Sequence, residues 1–266
     1  MGTEGDFMRA LITGASSGIG RCYALQLAAL GYNVLMVASG EAELMSTAEE
    51  VRTANPKVWV RTLVKDLAMP TAAEELFAWT EKEGIKVDVL INNAGIFSFC
   101  DILNTPIERI QRMIYLHDIT STLNCRLYAA DMIKRGGGRI LNMSSFSIWM
   151  PYPGLSLYSA SKAYLKSFSV AFSKEVEAKG VTVTAICPAG IATDLYGLSP
   201  RLQRFGVRTG ILMTPESCAR RSLRAMFRGT RCKVPDWWFR LFIPICQLVR
   251  GPLMKWLRNF TMQFQK

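Results

Sequence analysis

The sequence is poor in the residues that build metal centres and disulfide frameworks. It has one histidine, and its seven cysteines are scattered along the chain without any C-x-x-C pair. Structural zinc sites use clustered cysteines and histidines, and disulfide frameworks use an even set of cysteines in a short exported chain. We therefore expect no metal site, reduced and mostly buried thiols, and a cytoplasmic protein.

Segments for export or for crossing a membrane are also lacking. Only Met1 to Phe7 precede the first strand-like run, and they do not have the basic and then apolar pattern of a signal peptide. In the apolar C-terminal part, nine residues including Pro244 separate Arg240 from Arg250. A membrane-spanning helix needs about 20 apolar residues. We expect neither export nor a membrane span.

Acidic residues are almost absent from the last quarter of the chain. Residues 201–266 hold 14 Lys/Arg against two acidic residues, whereas residues 1–200 hold 18 against 19. The net charge of +11 therefore comes from the C-terminal region. This asymmetry predicts an anionic partner surface for that region, rather than a protein that is basic throughout.

What is present is a repeated strand–helix pattern. Residues 8–13 are strand-like, the glycine-rich turn Gly14–Gly20 follows at once, and an amphipathic helix runs from about Ile19 to Leu30. Glycines in such a turn let backbone N–H groups and the helix N-terminus approach a pyrophosphate. A glycine-rich turn can also serve packing alone, but its position between strand and helix favours dinucleotide binding.

The alternation continues along the chain. We predict further strands at 33–38, 58–64, 87–91, 139–143 and 181–187, and helices at 41–54, 71–83, 105–134 and 157–179. The helix at 105–134 should have Asn104 or Thr105 as N-cap and Pro106 as its first residue. The prediction is an α/β fold: a Rossmann-like doubly wound parallel sheet of about seven strands with helices on both faces. It assigns residues 1–233 to a catalytic domain and residues 234–266 to a C-terminal helical extension.

Tyr158 and Lys162 are the first candidate catalytic pair. Residues four apart on a helix lie on the same face, one turn from each other. An ammonium within about 4 Å of a phenolate is worth roughly 4 kcal/mol, which predicts a phenol pKa below its usual value of about 10. The ordinary alternative is a surface helix that carries both residues by chance, and the spacing alone favours that alternative.

Several motifs occur together in a fixed order. They are Thr13-Gly14-x3-Gly18-x-Gly20, Asn92-Asn-Ala-Gly95, Ser145 placed 13 residues before Tyr158, Tyr158-x3-Lys162, and Pro188–Thr193. Over about residues 8–230 the chain resembles the short-chain dehydrogenase/reductase family. The run Gly20–Ala28 and the Trp- and Arg-rich C-terminal extension are similar to one branch, that of β-ketoacyl reductases and 17β-hydroxysteroid dehydrogenase/3-ketoacyl-CoA reductases.

The resemblance implies a role for each matching residue. Tyr158 would exchange a proton with the substrate oxygen, Lys162 would lower the Tyr158 pKa and bind the nicotinamide ribose, and Ser145 would hydrogen-bond the substrate oxygen. The implied cofactor-binding residues, besides Tyr158 and Lys162, are Gly14, Ser16, Ser17, Gly18, Ile19, Gly20, Ser39, Asp66, Leu67, Asn93, Ala94, Gly95, Pro188, Ala189, Ile191 and Thr193. Ala189 stands where the family usually has glycine.

The family's fourth catalytic residue is an asparagine that holds a water in a proton relay, and the matching position here is His117. A neutral imidazole could hold the same water, and it also titrates near pH 6.5. The alternative is a half-buried histidine satisfied by a backbone carbonyl. If the relay is what matters, His117→Asn should preserve or raise turnover.

In this family the residues at the end of the second strand determine whether NADP(H) or NAD(H) is bound. An acidic residue there selects NAD, and an arginine just after it accepts the phosphate of NADP. This chain has Val37-Ala38-Ser39-Gly40, with neither. Ser17 and Ser39 could donate hydrogen bonds to a phosphate, so NADP(H) is favoured, and NAD(H) stays open because the arginine is missing.

The C-terminal extension combines basic and aromatic residues. At helical spacing Arg240, Gln247, Arg250, Lys255 and Arg258 share one arc, opposite an apolar arc. This pattern favours a kinked helix in a membrane interface, drawn to anionic lipid. The alternative is a lid or dimer helix packed on the body. Nucleic acid is not expected, because the aromatics stand among aliphatic residues.

A lipid-like ketone or alcohol fits such a protein: a 3-ketoacyl chain, a keto-sphingoid base or a steroid. Arg201, Arg204 and Arg208 lie where the family has its substrate loop, and they could meet a phosphate or simply be solvated. The resemblance also implies a homo-oligomer that pairs through the helices at 105–134 and 157–179. The competing hypothesis is a catalytically weak cofactor-sensing or membrane-scaffold protein that keeps the fold.

Overall fold

The computed structural model describes residues 8–150, 152–193, 195, 199–236 and 238–248. Seven strands form one parallel sheet in the order β3-β2-β1-β4-β5-β6-β7. The strands are β1 (Arg9–Thr13), β2 (Asn33–Ala38), β3 (Val60–Val64), β4 (Val89–Asn92), β5 (Gly138–Met143), β6 (Val181–Ile186) and β7 (Cys232–Lys233). The predicted fold class is therefore confirmed. Strand order reverses between β1 and β4, which opens a crevice at the carboxyl edge of the sheet.

Helices cover both faces of the sheet. They are α1 (Gly18–Ala29), α2 (Glu41–Ala54), α3 (Ala72–Lys82), α4 (Ile107–Ile114), α5 (Thr120–Lys134), α6 (Ser156–Val176), α7 (Pro200–Arg208), α8 (Pro215–Phe227) and α9 (Phe239–Leu248). One apolar core joins α1, α2 and α8 to one face, and a second joins α3, α5 and α6 to the other. Near-continuous burial of β1, β2 and β4 explains their unbroken apolar sequences.

The predicted long helix over 105–134 is confirmed from Ile107 to Lys134, with a π-helical turn inside it that the sequence did not predict. Helix α4 ends at Ile114, a π-helical turn covers Tyr115–Ile119, and α5 begins at Thr120. The N-cap is Pro106, which makes no side-chain cap; the Thr105 hydroxyl donates to the Asp101 carbonyl 3.1 Å away. A π turn inserts an extra residue into the helical ladder, and such turns are frequent at functional sites.

Helices α7 and α8 were not predicted, since their sequences are rich in arginine and lack a long apolar stripe. Each begins with a proline in its first turn and a hydroxyl cap: Ser199 accepts from the backbone N–H of Leu202, and Thr214 accepts from that of Ser217. These are strong start signals for a helix. Helix α7 lies beside the carboxyl edge of the sheet.

The described part of the predicted extension packs on the body. Helix α9 contains Pro244, and the ring of Phe239 lies 5.3 Å from that of Phe146. Val234 is buried in the same small apolar cluster. Among the described residues, no helix is long and apolar enough to cross a membrane. Three residues of the predicted basic arc, Arg250, Lys255 and Arg258, lie outside the described residues. Residues 1–7, for which the sequence analysis expected no export signal, also lie outside them.

Candidate active site

A cavity of about 640 Å³ opens at the carboxyl edge of the sheet. It lies at the strand-order reversal, where ligands bind in open parallel sheets. The predicted site residues that line it are Gly14, Ser16, Ser17, Gly18, Ile19, Ser39, Asp66, Leu67, Asn93, Ala94, Gly95, Ser145, Tyr158, Lys162, Pro188, Ile191 and Thr193. Residues from seven separate chain segments thus line one cavity.

Three predicted site residues do not line the cavity. Gly20 packs under the glycine-rich turn, where a Cβ would come within 1.9 Å of the Gly14 carbonyl oxygen. Ala189 faces the apolar cluster that contains Phe146 and Val234. His117 is fully buried behind the catalytic residues. For Gly20 and Ala189 the direct contact with a cofactor stays a prediction; in this structure both small residues pack against neighbouring protein atoms.

The glycine-rich turn has the geometry of an anion cradle. Gly18 opens α1 with φ +52°, a conformation that L side chains rarely adopt, and a Cβ there would stand 3.3 Å from the Thr193 side chain. The preceding residue Ser17 is extended and makes no side-chain cap, so the first N–H groups of α1 face the cavity. The positive end of the helix dipole favours a phosphate at this position.

A second wall comes from the segment after β4. The Thr13 hydroxyl accepts from the backbone N–H groups of Asn93 and Ala94, each at 3.0 Å. The Asn93 side chain in turn donates to the Thr13 carbonyl at 3.0 Å. These bonds tie the end of β4 to the end of β1, which explains why the Asn-Asn-Ala-Gly segment is held at a fixed distance from the glycine-rich turn.

Ser145, Tyr158 and Lys162 converge at the inner end of the cavity. All three are nearly fully buried, and the Ser145 hydroxyl hydrogen-bonds the Tyr158 phenol. The Lys162 ammonium donates to the Met143 carbonyl at 2.9 Å and lies 5.8 Å from the centre of the Tyr158 ring. The Phe97 ring packs edge-on against Tyr158 at 5.1 Å. Two buried donors therefore lie beside one phenol.

The prediction that Lys162 lowers the Tyr158 pKa is not met. Burial raises the pKa of the Tyr158 phenol, and the hydrogen bond with Ser145 opposes that rise. Burial also lowers the pKa of Lys162 to about 8, with Asp118 opposing the change. The sequence spacing did not reveal the desolvation of both groups. Lys162 stands over the phenol ring, and its nearest partner is the Met143 carbonyl.

His117 lies in the π turn with both ring nitrogens bonded inside the protein. Its Nε2 accepts from the backbone N–H of Ile96 at 3.0 Å, and its Nδ1 lies 2.9 Å from the Ser161 hydroxyl. Ser161 donates to the Tyr158 carbonyl at 2.9 Å, so its oxygen accepts from His117, and the neutral tautomer carries its proton on Nδ1.

This environment contradicts two expectations for His117. Burial, with a smaller contribution from Lys162, holds its pKa well below 6.5, so the ring does not titrate near neutral pH. The ring is fully buried, and its partners are a backbone N–H and a hydroxyl rather than a carbonyl. His117 links the segment after β4 to α6, which carries Tyr158.

Sequence reasoning missed three basic residues that line the same cavity. Arg21, Lys65 and Arg112 face it from α1, from the end of β3 and from α4. The Lys65 backbone N–H donates to the Ala38 carbonyl at 2.8 Å, which places Lys65 next to Ser39. The three cations pair with Glu50, Glu75 and Asp66. Only the register of β2 on β3 reveals that Lys65 lies near the end of β2.

Comparison with known proteins agrees with this geometry. The pattern that defines the short chain dehydrogenase family matches residues 8–200. The chain belongs to that family, which confirms the resemblance seen in its motifs.

Individual relatives carry names that concern ketones and fatty acyl groups. The chain is 36% identical over 180 residues to a very-long-chain 3-oxoacyl-CoA reductase of Pyrenophora tritici-repentis, covering 66% of this chain and 53% of the relative. It spans about half the length of the curated relatives it matches.

Solved structures resemble it over most of their length. A short-chain dehydrogenase from Sphingobium yanoikuyae in complex with NADPH has TM-score 0.78 and 28% identity, covering 88% of this chain and 92% of that chain. A bulky-bulky ketone specific alcohol dehydrogenase from Comamonas testosteroni has TM-score 0.76 and 26% identity, covering 91% and 94%.

Proposed function

We propose that this protein is an NADP(H)-dependent oxidoreductase that interconverts a ketone and a secondary alcohol on a lipid-like substrate. The observation that carries the proposal is the convergence of Ser145, Tyr158 and Lys162 at the inner end of the cavity that the glycine-rich turn lines. A phenol, a hydroxyl and an ammonium around one cavity form a set of donors for an oxygen that gains negative charge.

In the reducing direction, Tyr158 acts as the general acid. Its pKa is raised by burial, so the phenol holds its proton at neutral pH and can deliver it to the carbonyl oxygen. Once the ketone is bound, the Ser145 hydroxyl turns its single proton from the phenol oxygen to the same carbonyl oxygen. When bound, a nicotinamide supplies the hydride for the carbonyl carbon.

Lys162 and His117 have supporting roles in this proposal. The Lys162 ammonium, with a pKa of about 8, stabilises the phenolate that remains after proton transfer. We assign His117 as a positioning residue, since the Ser161 hydroxyl connects its Nδ1 to the carbonyl of Tyr158. His117 thereby orients α6 and takes no part in the proton transfer itself.

The cavity fits a dinucleotide, and its basic residues favour NADP(H) over NAD(H). The end of β2 carries no carboxylate that would repel a phosphate, and Ser39 lies beside Lys65. Arg21 lines the same cavity. Hydroxyl and cationic donors at the end of β2 are the chemistry that accepts a ribose phosphate.

We infer the substrate class from the names of relatives and from the basic and aromatic C-terminal extension of the chain. One relative is named a very-long-chain 3-oxoacyl-CoA reductase, and one structural neighbour is named a bulky-bulky ketone specific alcohol dehydrogenase. We therefore propose a 3-ketoacyl chain first, with a keto-sphingoid base and a steroid as the other members of a test panel.

The deciding experiment is hydride transfer from labelled NADPH to this ketone panel, with NADH in parallel. We expect transfer to at least one ketone, and a fall in kcat of about 10²–10⁴ in Tyr158→Phe with NADPH binding retained. NADPH binding without transfer to any ketone would favour the cofactor-sensing alternative. Equal binding of NADH would contradict the cofactor preference.

Three further features remain proposals. They are the division at residue 233, membrane attachment through the basic extension, and oligomerisation through α5 and α6. Support for the last is a stacked row of Tyr164, Phe168 and Phe172 on α6, with Tyr164 45% exposed. Sedimentation velocity tests it. Vesicle binding by a variant with glutamine at Arg250, Lys255 and Arg258 tests the extension.

A further inference from the structure

Helix α7 presents an unusual outer surface, the α7 face, formed by Arg201, Leu202, Arg204, Phe205 and Arg208. Leu202 and Phe205 are 56% and 63% exposed, although both are large and apolar. The three arginines are exposed as well. Isolated exposed apolar residues are ordinary, but here they share a helix with three cations.

The opposite side of α7 is the packed side. Gly206 is buried, and a Cβ there would come within 2.7 Å of the Leu212 side chain. Gln203 lines the main cavity. At 3.6 residues per turn, Arg204, Arg208 and Arg201 form the outward arc next to Phe205 and Leu202. The α7 face is therefore the solvent side of a helix whose other side borders the cavity through Gln203.

Within the part of the chain that the structure describes, no ion pair compensates the charge of this surface. Residues 195–215 contain no Asp or Glu. The ion pairs found among the described residues involve none of Arg201, Arg204 and Arg208. The α7 face thus combines three arginines that have no ion pair within the described ranges with two exposed apolar side chains on one helix.

We propose that the α7 face docks the protein on an anionic phospholipid bilayer. Leu202 and Phe205 enter the headgroup region, and the arginines contact lipid phosphates. Charge complementarity selects this partner: a second copy of the chain would present the same positive face and repel it. Docking here brings the cavity wall that Gln203 lines to within one helix of the bilayer. The proposal does not depend on the identity of the substrate.

Vesicle binding by the full chain tests the proposal without any substrate. The probes are phosphatidylcholine vesicles with and without phosphatidylglycerol, and the readout is the partition coefficient from co-sedimentation. We expect binding to the anionic vesicles, and at least a tenfold weaker partition for Leu202→Ser/Phe205→Ser. Both side chains are largely exposed, so circular dichroism and thermal unfolding should match the unchanged chain.

Leu30→Ser is the matched control. Leu30 is 61% exposed and lies beside Arg224 and Arg228, in a groove between α1 and α8. It thus has similar exposure and similar basic neighbours, but it follows the C-terminal end of α1, away from the cavity mouth. We expect its partition coefficient to be unchanged. A loss in this control as large as in the α7 variant would overturn the assignment to the α7 face.

A charge variant separates insertion from attraction. Arg201→Gln/Arg204→Gln/Arg208→Gln should weaken binding to anionic vesicles by up to about fivefold for each arginine at low salt, with a smaller effect at high salt. Absence of binding by the unchanged chain, or equal binding by the Leu202→Ser/Phe205→Ser variant, would refute the proposal. So would a dimer in solution that the same variant dissociates.

Discussion

Lowering the pH from about 8 to about 5.5 should leave the His117 ring neutral in the folded protein. The ring is fully buried, its Nε2 accepts a backbone N–H, and burial holds its pKa well below 6.5. Protonation at Nε2 would place a second hydrogen against the Ile96 N–H and break that bond. The ring should therefore resist protonation until the structure opens.

The consequence for stability follows from proton linkage. In the unfolded chain His117 binds a proton below a pKa of about 6.5, whereas in the folded chain it does not. The unfolded state then holds one more proton, so this residue makes folding less favourable as pH falls below about 6.5. The free energy of unfolding should decrease by nearly 1.4 kcal/mol for each pH unit, until the lower folded-state pKa is reached.

Because His117 is the only histidine in the chain, one NMR signal reports on it. Its ring Cε1–H resonance should not shift between about pH 8 and 5.5 in the folded protein. Urea unfolding at several pH values gives the free energy, and the His117 contribution is the difference between the unchanged chain and His117→Asn. Taking this difference matters because burial raises the pKa of Asp118 to about 6, which has the opposite effect below that pH.

Two results would refute this reasoning. One is a ring titration with a midpoint near 6.5 in the folded protein, which would mean that the imidazole is open to water. The other is an identical pH dependence of unfolding in His117→Asn. Turnover by the same variant is a separate measurement: preserved turnover supports the positioning role, since asparagine keeps one donor and one acceptor. Loss of turnover without unfolding would indicate a specialised role for the imidazole.

Three other substitutions have expected outcomes. Asn142→Ala removes a buried amide that joins β4, β5 and α6 through bonds of 2.8 Å; it should cost about 2–4 kcal/mol in urea unfolding, against a negligible loss for the exposed Asn104→Ala. Lys65→Gln should weaken NADPH binding about tenfold by fluorescence titration, leave NADH binding unchanged, and differ from the exposed Lys57→Gln, which should alter neither; equal effects on both cofactors would contradict a phosphate contact. Gly95→Ala places a Cβ 2.9 Å from the buried imidazole Nε2 and 3.3 Å from the lysine ammonium, so kcat should fall at least tenfold while the protein stays folded; wild-type kcat would show that the wall after β4 moves freely.

Much of the architecture was predictable because its signals are local. Apolar runs of strand length, separated by amphipathic segments, place six strands of the sheet within a few residues of their observed bounds. The order of the glycine-rich turn, Ser145, Tyr158 and Lys162 predicts which residues line the cavity. Both kinds of signal depend on periodicity and spacing, which a single chain displays directly.

The features that the sequence did not predict have physical reasons as well. Helices α7 and α8 are short and rich in arginine, so their apolar periodicity is weak, although Pro200 and Pro215 mark their starts. The π turn around His117 has no simple sequence signature, so periodicity predicted the long helix but not the extra residue inside it. Lys65 lies at the cavity because β3 pairs with β2 in a particular register, and residues adjacent in the sequence do not reveal that register.

By itself the sequence determined the fold class, the family and the identity of the candidate acid, because hydrophobic period and motif spacing are properties of neighbouring residues. The tertiary structure decided the electrostatics. Burial by residues distant in the chain raises the pKa of Tyr158, lowers that of Lys162 and keeps His117 neutral, opposite to what their spacing alone predicts for the phenol. A pKa depends on solvent exclusion and on partners gathered from separate segments, and only the folded chain brings those together.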